Sequence, residues 1–285
     1  MTARILDGRA LAAELREELT RDAAALRTRG IVPRLLVAMV GEDDSSLAYV
    51  RGMKSLGDRI GVDVVVDELA PDVDDAAVRA ALQRHDADDA VHGIILQQPL
   101  PAHLSIRAIA SAMPERKDVD GTSPVNQGRL AFATGARFIP ATPTAVMLLL
   151  ERSRAWPLRG RNVTVIGRSH VVGLPVSLLL MAQDATVTVT HRETVDIKAH
   201  VRAAEVVVVA TGVPHLVDAT WLAPGAVVID VGTTVVDGKL LGDVDFESAA
   251  TVAGEITPVP GGVGPVTNVA LMRNVILAAQ TLTAP

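Results

Sequence analysis

The chain of 285 residues contains no cysteine, and this absence excludes several classes of site at once. Without thiols there is no disulfide framework, no zinc-cysteine site and no cysteine nucleophile. A chain of this kind suits a reducing compartment, and we expect a cytoplasmic protein. No uncharged apolar run reaches the roughly 18 residues of a membrane span, and the N-terminal segment lacks the apolar core of a signal peptide. We therefore expect no membrane partner.

Aromatic side chains and clusters of one charge are also scarce. Three Phe, two Trp and one Tyr offer few surfaces on which bases could stack. The 27 Lys and Arg residues are outnumbered by 33 Asp and Glu, and no basic run is long enough to follow a phosphate backbone. We therefore expect no nucleic-acid partner. The seven histidines show no spacing typical of metal ligands, and we assign no metal site.

What the chain does contain is an alternation of short apolar runs and helix-patterned stretches. The length favours one large α/β unit or two domains, and 49% hydrophobic with 21% charged residues is typical of a globular protein. Strands that alternate with helices predict βαβ units and a parallel sheet. The predicted strands are 34–40, 62–66, 91–96, 162–167, 185–190, 205–210 and 226–231.

The interval 98–142 interrupts this alternation. It contains five prolines and the charged run PERKDVDGTSP, and it predicts a long functional loop followed by a crossing between domains. Thr142 as N-cap and Pro143 as first helical residue would open a helix there. A last helix over about 266–281 would return to the first domain. The expected domains are therefore 1–142 with 267–285, and 143–266.

A strand, a tight turn and an apolar helix follow one another in NVTVIG, RSHVVG and LPVSLLLMA. This order is typical of the turn on which a dinucleotide pyrophosphate sits. The spacing departs from the usual GxGxxG, because the chain offers Gly167, Ser169 and Gly173. An ordinary turn between a strand and a helix remains the alternative on this segment alone.

The end of the next predicted strand favours NADP as the cofactor. An acidic residue that binds a ribose 2′-hydroxyl is usual there, whereas this chain has His191 and Arg192, and Arg168 lies in the turn itself. Two guanidinium groups favour a 2′-phosphate. The alternative for Arg192 is a solvated loop cation. Thr233 follows another predicted strand, and its main chain is a further candidate cofactor contact.

Long segments across nearly the whole chain resemble the bifunctional methylenetetrahydrofolate dehydrogenase/cyclohydrolase family. The resemblance implies an N-terminal α/β folate domain, a Rossmann-like NADP domain with a parallel sheet, a cleft between them and a homodimer. It also implies two reactions, hydride transfer from 5,10-methylenetetrahydrofolate and hydrolysis of the methenyl product to 10-formyltetrahydrofolate. The matching segments are ILDGRALAAELREEL, SLAYVRGMK, GIILQQPLP, PERKDVDG, PATPTAV, VIGRSHVVGLPVSLLL and ITPVPGGVGPVT.

The resemblance also implies which residues handle the folate. Tyr49, the one tyrosine of the chain, would lie along the ring system, and Asp120 would anchor it by accepting two amide-type donors. Gln97, at the end of a predicted strand, would join them as a catalytic and substrate-binding residue. Without the resemblance, Tyr49 would be interpreted as a tyrosine at a helix start, Asp120 as a carboxylate in a turn, and Gln97 as an amide that caps the backbone. The remaining candidate substrate contacts are Pro99, Leu100, Pro101, Pro260, Gly261 and Gly262.

One departure from the family bears on the hydrolytic step. Four residues after the tyrosine the family has a lysine, and this chain has Met53. Lys54 is the nearest substitute and a candidate catalytic residue, although one residue turns a helix by about 100° away from the face of Tyr49. We therefore expect dehydrogenase activity with weak cyclohydrolase activity. Thr122 and Ala141 also depart from the family, and both changes look tolerable.

Two other functions stay open at this point. Met53 and Thr122 suggest an oxidoreductase for another small substrate on the same scaffold. A protein that keeps both binding sites without catalysis is the second alternative. Formation of NADPH from methylenetetrahydrofolate would separate the leading hypothesis from both.

Overall fold

The computed structural model describes residues 3–41, 44–132, 135 and 137–283 and divides into two compact units. Unit I comprises residues 14–141 and 268–285, and unit II comprises residues 1–13 and 142–267. In chain order the elements are β1 (Arg4–Ile5), α1 (Gly8–Thr28), β2 (Arg34–Val40), α2 (Asp44–Ile60), β3 (Asp63–Leu69), α3 (Asp75–Ala87), β4 (Gly93–Leu96), α4 (Ile106–Ala110), α5 (Pro124–Ala131), α6 (Ala141–Glu151), β5 (Asn162–Ile166), α7 (Gly173–Ala182), β6 (Thr186–Thr190), α8 (Ile197–Arg202), β7 (Val206–Val209), a 3₁₀ turn (Ala219–Trp221), β8 (Val227–Asp230), β9 (Thr234–Val236), β10 (Lys239–Leu241), α9 (Phe246–Ala249), β11 (Glu255–Ile256) and α10 (Val263–Leu282).

Unit I is built on a parallel sheet in the order β3, β2, β4. The central strand β2 has the sequence RLLVAMV and is buried from its second residue to its last. Such a continuous apolar run is typical of a parallel strand that is covered on both faces. Leu36 and Ala38 pack with Val78 and Leu82 of α3, so the helix covers one face of the sheet.

Unit II contains a larger parallel sheet in the order β1, β11, β8, β7, β5, β6. Its central strands β7 and β8 are buried at every residue. Because all paired strands of this sheet run in the same direction, their carboxyl ends lie at one edge. That edge is where open α/β sheets bind ligands.

The predicted strands agree with the structure to within a few residues, but the interval 98–142 does not stay a loop. It contains α4 and α5, whose first turns are capped by the hydroxyls of Ser105 and Ser123. Both helices are too short to show a clear period in the sequence. The helix predicted to begin at Pro143 begins at Ala141 instead.

The N-terminal residues 1–13 fall in unit II. The physical reason is strand pairing, since Arg4 and Ile5 of β1 pair in parallel with Glu255 and Ile256 of β11. The Arg4 guanidinium also donates to the buried carboxylate of Glu255 at 2.7 Å. A strand of two residues leaves no pattern in a sequence. Within the described residues, no helix is long and apolar enough to cross a membrane.

Candidate active site

Gln97 follows β4 in unit I, at the carboxyl end of the strand. Its main-chain N–H donates to the carbonyl of Ala38 at 2.8 Å, which extends the pairing with β2, and its amide nitrogen donates to the carbonyl of Gln98 at 2.6 Å. Pro99 is exposed, Pro101 is partly exposed, and Leu100 packs against the core. The proline segment therefore carries Gln97 at the surface edge of the sheet.

Asp118 is buried, and its carboxylate is fully used within unit I. One oxygen accepts from the main chain of Thr122 at 3.1 Å, and the other accepts from Ser123 N and Asn126 Nδ2, both at 2.8 Å. The Thr122 hydroxyl adds a longer contact of 3.4 Å. These bonds fold the segment that follows Asp120, so Asp118 is structural and Thr122 has a local partner for its hydroxyl.

Asp120 lies in the same segment, and its carboxyl is strongly perturbed. Burial is the largest cause that raises the pKa of Asp120 to about 7, and the charge of Asp118 raises it further. The main-chain N–H of Ala141 opposes both by hydrogen bonding to the carboxylate. Gly121 follows with φ of +61°, and a side chain there would approach the carbonyl oxygen of Phe138 to 2.7 Å. Glycine is therefore required next to Asp120.

Tyr49 lies on α2 and is 36% exposed. Burial of its hydroxyl raises the pKa of Tyr49 well above its ordinary range, and the charge of Asp120 raises it further. Two residues predicted from the sequence are therefore within electrostatic reach of each other in unit I. A neutral phenol beside a carboxyl that titrates near neutrality can donate or accept hydrogen bonds at a ring system.

Met53, four residues after Tyr49, is fully buried in unit I, and its neighbour Lys54 is exposed. The position at which the resemblance implies a lysine in the family is thus occupied here by a buried thioether. The exposure of Lys54 agrees with the rotation of about 100° per helical residue. Within the described part of the chain, neither the pKa shift of Tyr49 nor that of Asp120 has a cation among its causes.

The turn after β5 in unit II is compact because of two glycines. Gly167 has φ of +115°, and a side chain there would collide with the carbonyl oxygen of Ala210. A side chain at Gly173, which begins α7, would collide with the carbonyl of Gly167. The Ser169 hydroxyl accepts from Val172 N at 3.1 Å and tightens the turn.

Helix α7 begins without a side-chain cap. The N–H of Leu174 donates to the carbonyl of Ser169, and the N–H of Val176 donates to the carbonyl of Val172. Pro175 has no N–H, so the described bonds of this first turn leave the Gly173 N–H for an external acceptor. With the missing glycine side chains, this turn fits a pyrophosphate at a helix N-terminus. The residues present therefore fit a dinucleotide cofactor.

The two predicted arginines are exposed and follow neighbouring strands of the same sheet. Arg168 follows β5 and Arg192 follows β6. Among the described residues, the Arg192 guanidinium pairs with the adjacent Glu193 at 3.1 Å, and 92% of its side chain is exposed. Such a surface pair contributes little, typically about 0–1 kcal/mol, and leaves Arg192 free to bind a phosphate. His191 and Thr233 lie at the same edge, after β6 and β8.

The segment Pro260, Gly261 and Gly262 precedes α10 and belongs to unit II. Gly261 has φ of +116°, and a side chain at Gly8 would collide with the carbonyl of Gly262. Tyr49, Gln97 and Asp120 belong to unit I, whereas the predicted cofactor residues share unit II with this segment.

Two buried carboxylates of unit II were not singled out from the sequence. Asp230 ends β8, and Asp243 follows β10. The sequence offered two weak signals for them, namely Asp230 at the end of the apolar run VVID and Asp243 in the segment GDVD. No group of three or more His, Asp or Glu among the described residues is arranged to hold a metal ion.

Comparisons with known proteins agree with this arrangement. Residues 6–120 match the tetrahydrofolate dehydrogenase/cyclohydrolase catalytic domain, and residues 140–283 match the NAD(P)-binding domain of the same family. The bifunctional protein FolD of Parafrankia sp. is 47% identical over 97% of this chain and 99% of its own length.

Solved structures are similar over nearly the full length. The bifunctional enzyme FolD, a methylenetetrahydrofolate dehydrogenase/cyclohydrolase from Campylobacter jejuni, is 36% identical with a TM-score of 0.94, covering 98% of this chain and 99% of its own. The N5,N10-methylenetetrahydrofolate dehydrogenase-cyclohydrolase of Trypanosoma brucei, solved with NADP and an inhibitor, is 39% identical with a TM-score of 0.93, covering both chains completely. The expected two-domain α/β fold is thus confirmed, as is the resemblance, and the chain belongs to the tetrahydrofolate dehydrogenase/cyclohydrolase family.

Proposed function

We propose that the protein oxidises 5,10-methylenetetrahydrofolate to 5,10-methenyltetrahydrofolate with NADP and hydrolyses the product to 10-formyltetrahydrofolate. The observation that carries this proposal is that a family match covers both units while Tyr49, Gln97, Asp120 and the Gly167 turn are all present. The names of the relatives, and the NADP complex of the Trypanosoma brucei protein, support both reactions. They do not favour a non-catalytic protein or another substrate.

The folate binds to unit I in this proposal, so residues 14–141 correspond to most of the expected folate domain. Asp120, once ionised, accepts two hydrogen bonds from the amide-type donors of the pterin ring. Tyr49 lies along the ring, and the Gln97 amide and the segment 99–101 border it. In unit II, Gly261 and Gly262 present backbone without side chains, which a flat ring can approach.

NADP binds to unit II in this proposal, which corresponds to the expected domain 143–266. The Gly173 N–H at the start of α7 binds the pyrophosphate, and Gly167, Ser169 and Gly173 allow the close approach. Arg168 and Arg192 bind the 2′-phosphate, while His191 and the main chain of Thr233 border the cofactor. When bound, NADP supplies the hydride acceptor, and the protein contributes positioning of the reacting groups.

The hydrolytic step is weak in this proposal, because it needs a group that moves a proton from water. The Met53 thioether cannot exchange a proton, and Lys54 is exposed on another face of α2. General acid or base assistance is typically worth about 10² to 10⁴ in rate. The methenyl intermediate should therefore accumulate during turnover.

We also propose a homodimer, on the resemblance, and a cytoplasmic protein that binds no nucleic acid, on the composition and charge of the chain. Sedimentation of the purified chain tests the oligomeric state.

The activity is tested by mixing the protein with methylenetetrahydrofolate and NADP and following NADPH and methenyl absorbance separately. We expect NADPH with slow loss of the methenyl signal. Absence of NADPH, with folate binding intact by calorimetry, would support the non-catalytic alternative instead.

A further inference from the structure

Asp230 and Asp243 form a buried carboxylate pair at the carboxyl edge of the unit II sheet. Their exposed fractions are 3% and 0%, and neither forms an ion pair with any described residue. Taking a carboxylate out of water without a cation is costly unless hydrogen bonds replace the lost solvation. The partners of this pair therefore indicate what it holds in place.

Asp243 holds the start of the loop that follows β7. Its Oδ2 accepts three hydrogen bonds, from Thr211 N at 2.5 Å, Thr211 Oγ1 at 2.9 Å and Gly212 N at 2.9 Å. Two of the three donors are main-chain N–H groups, so these bonds fix the backbone of the loop itself. Oδ1 has no hydrogen-bond partner among the described residues, so one oxygen of Asp243 serves the loop alone.

Asp230 in turn holds Asp243. Its Oδ1 accepts from Asp243 N at 3.0 Å and from Gly232 N at 2.9 Å, and its Oδ2 accepts from Val244 N at 3.0 Å. A side chain at Gly232 would collide with the Asp243 carboxylate, which explains the glycine at this position. The turns after β8 and β10 and the loop after β7 are thus tied to one pair of carboxylates.

The loop that Asp243 holds borders the dinucleotide turn. The carbonyl of Ala210, which begins this loop, is the group against which Gly167 packs. Strand β7 lies between β5 and β8, and those two strands lead to Gly167 and Thr233. A loop between two cofactor-binding loops at this edge faces the ligand in an open α/β sheet.

We propose that Asp243 is a positioning residue for the cofactor, which fixes the loop 210–213 against NADP, and that Asp230 holds Asp243 in register. This inference rests on the proposed function, because it takes NADP as the occupant of the edge. Asp243 touches neither cofactor nor substrate in this arrangement and acts through Thr211 and Gly212.

The experiment compares Asp243→Ala, Asp243→Asn and a matched control, Asp245→Ala, by NADP affinity, folate KM and melting temperature. Asp245 caps α9 by accepting from Ser248 N and bonds to no residue of the loop 210–213. Asp243→Ala should weaken NADP binding by at least about tenfold, which corresponds to about 1.4 kcal/mol, with folate KM unchanged. Asp243→Asn should restore most of the affinity, because its carbonyl oxygen can accept the same three bonds.

The outcomes separate this inference from the function on which it rests. Wild type that binds no NADP contradicts the proposed function. If wild type and Asp243→Ala bind NADP with equal affinity, the positioning role is overturned. It is also overturned if Asp243→Ala and Asp245→Ala lose the same NADP affinity for the same fall in melting temperature. If Asp243→Ala does not fold, hydrogen exchange of the NADP-free wild type decides. The amides of Thr211 and Gly212 should then exchange slowly, and rapid exchange of both overturns the proposal.

Discussion

Replacement of Asp120 by asparagine should flatten the dependence of stability on pH. In the folded protein the pKa of Asp120 is raised from 3.8 to about 7, mainly by burial. Between these two values the folded state binds more protons than the unfolded state, so the free energy of unfolding falls as pH rises from about 4 to about 7. Asparagine does not titrate, and the variant should lose this contribution.

The magnitude follows from the size of the shift. About 3 pKa units at 1.36 kcal/mol each give an upper limit of about 4 kcal/mol. Asp120 keeps some contact with solvent, so we expect about half of this, or about 2 kcal/mol, after solvent screening. At pH 8 the ligand-free Asp120→Asn variant should therefore be more stable than wild type by about 2 kcal/mol, and at pH 4 the two should be similar.

Urea unfolding of both proteins without ligand, at several pH values between these limits, measures the two slopes. Asp58→Asn, which removes an exposed carboxylate of α2, is the control for the loss of one charge. Equal slopes in wild type and Asp120→Asn would refute the raised pKa. A change of the same size in Asp58→Asn would show that net charge, rather than burial of Asp120, sets the effect.

Asp120→Asn should lower dehydrogenase activity, although it should raise the stability of the ligand-free protein. Asparagine turns one acceptor oxygen into a donor, which would face the donors of the pterin and leave buried groups unpaired. We expect a crippled dehydrogenase with nearly unchanged NADP affinity. NADP binding that falls as far as folate binding would contradict the assignment of Asp120. In wild type, folate KM should rise as pH falls through about 7, because the protonated carboxyl has lost an acceptor.

Three further substitutions test other parts of the structure. Arg192→Ala should lower the ratio of kcat/KM for NADP to kcat/KM for NAD by about tenfold, while the control Glu193→Ala should preserve this ratio. Equal kcat/KM values for both cofactors in wild type would contradict a 2′-phosphate site. Met53→Lys should raise the rate of methenyl hydrolysis, because an amine can transfer a proton, and it should lower the melting temperature, because position 53 is fully buried. If wild type hydrolyses the methenyl compound fast and Lys54→Ala does not, the neighbouring lysine serves instead. Lys117→Met should lower the free energy of unfolding, measured by urea titration, by about 3 kcal/mol. The reason is that the buried Lys117 ammonium donates to three main-chain carbonyls at the end of α3. A decrease smaller than about 0.5 kcal/mol would contradict this account.

The sequence by itself was sufficient for the seven strands β2 to β8 and for the glycine turn. The runs around β2, β5 and β8 are short and mostly apolar, and this pattern depends only on neighbouring residues and on burial of both faces. Gly167 and Gly173 were identified because a close backbone approach admits only glycine, and the structure places a carbonyl where each side chain would begin.

Tertiary structure alone decided the features that depend on residues far apart in the chain. The two residues of β1 became a strand only because β11, some 250 positions later, offered a partner. The same holds for Met53, since its sequence spacing predicted the face of Tyr49 but not its complete burial. The pKa of Asp120 and the bonds of Asp243 likewise depend on burial and on distant main-chain groups, which no local pattern encodes.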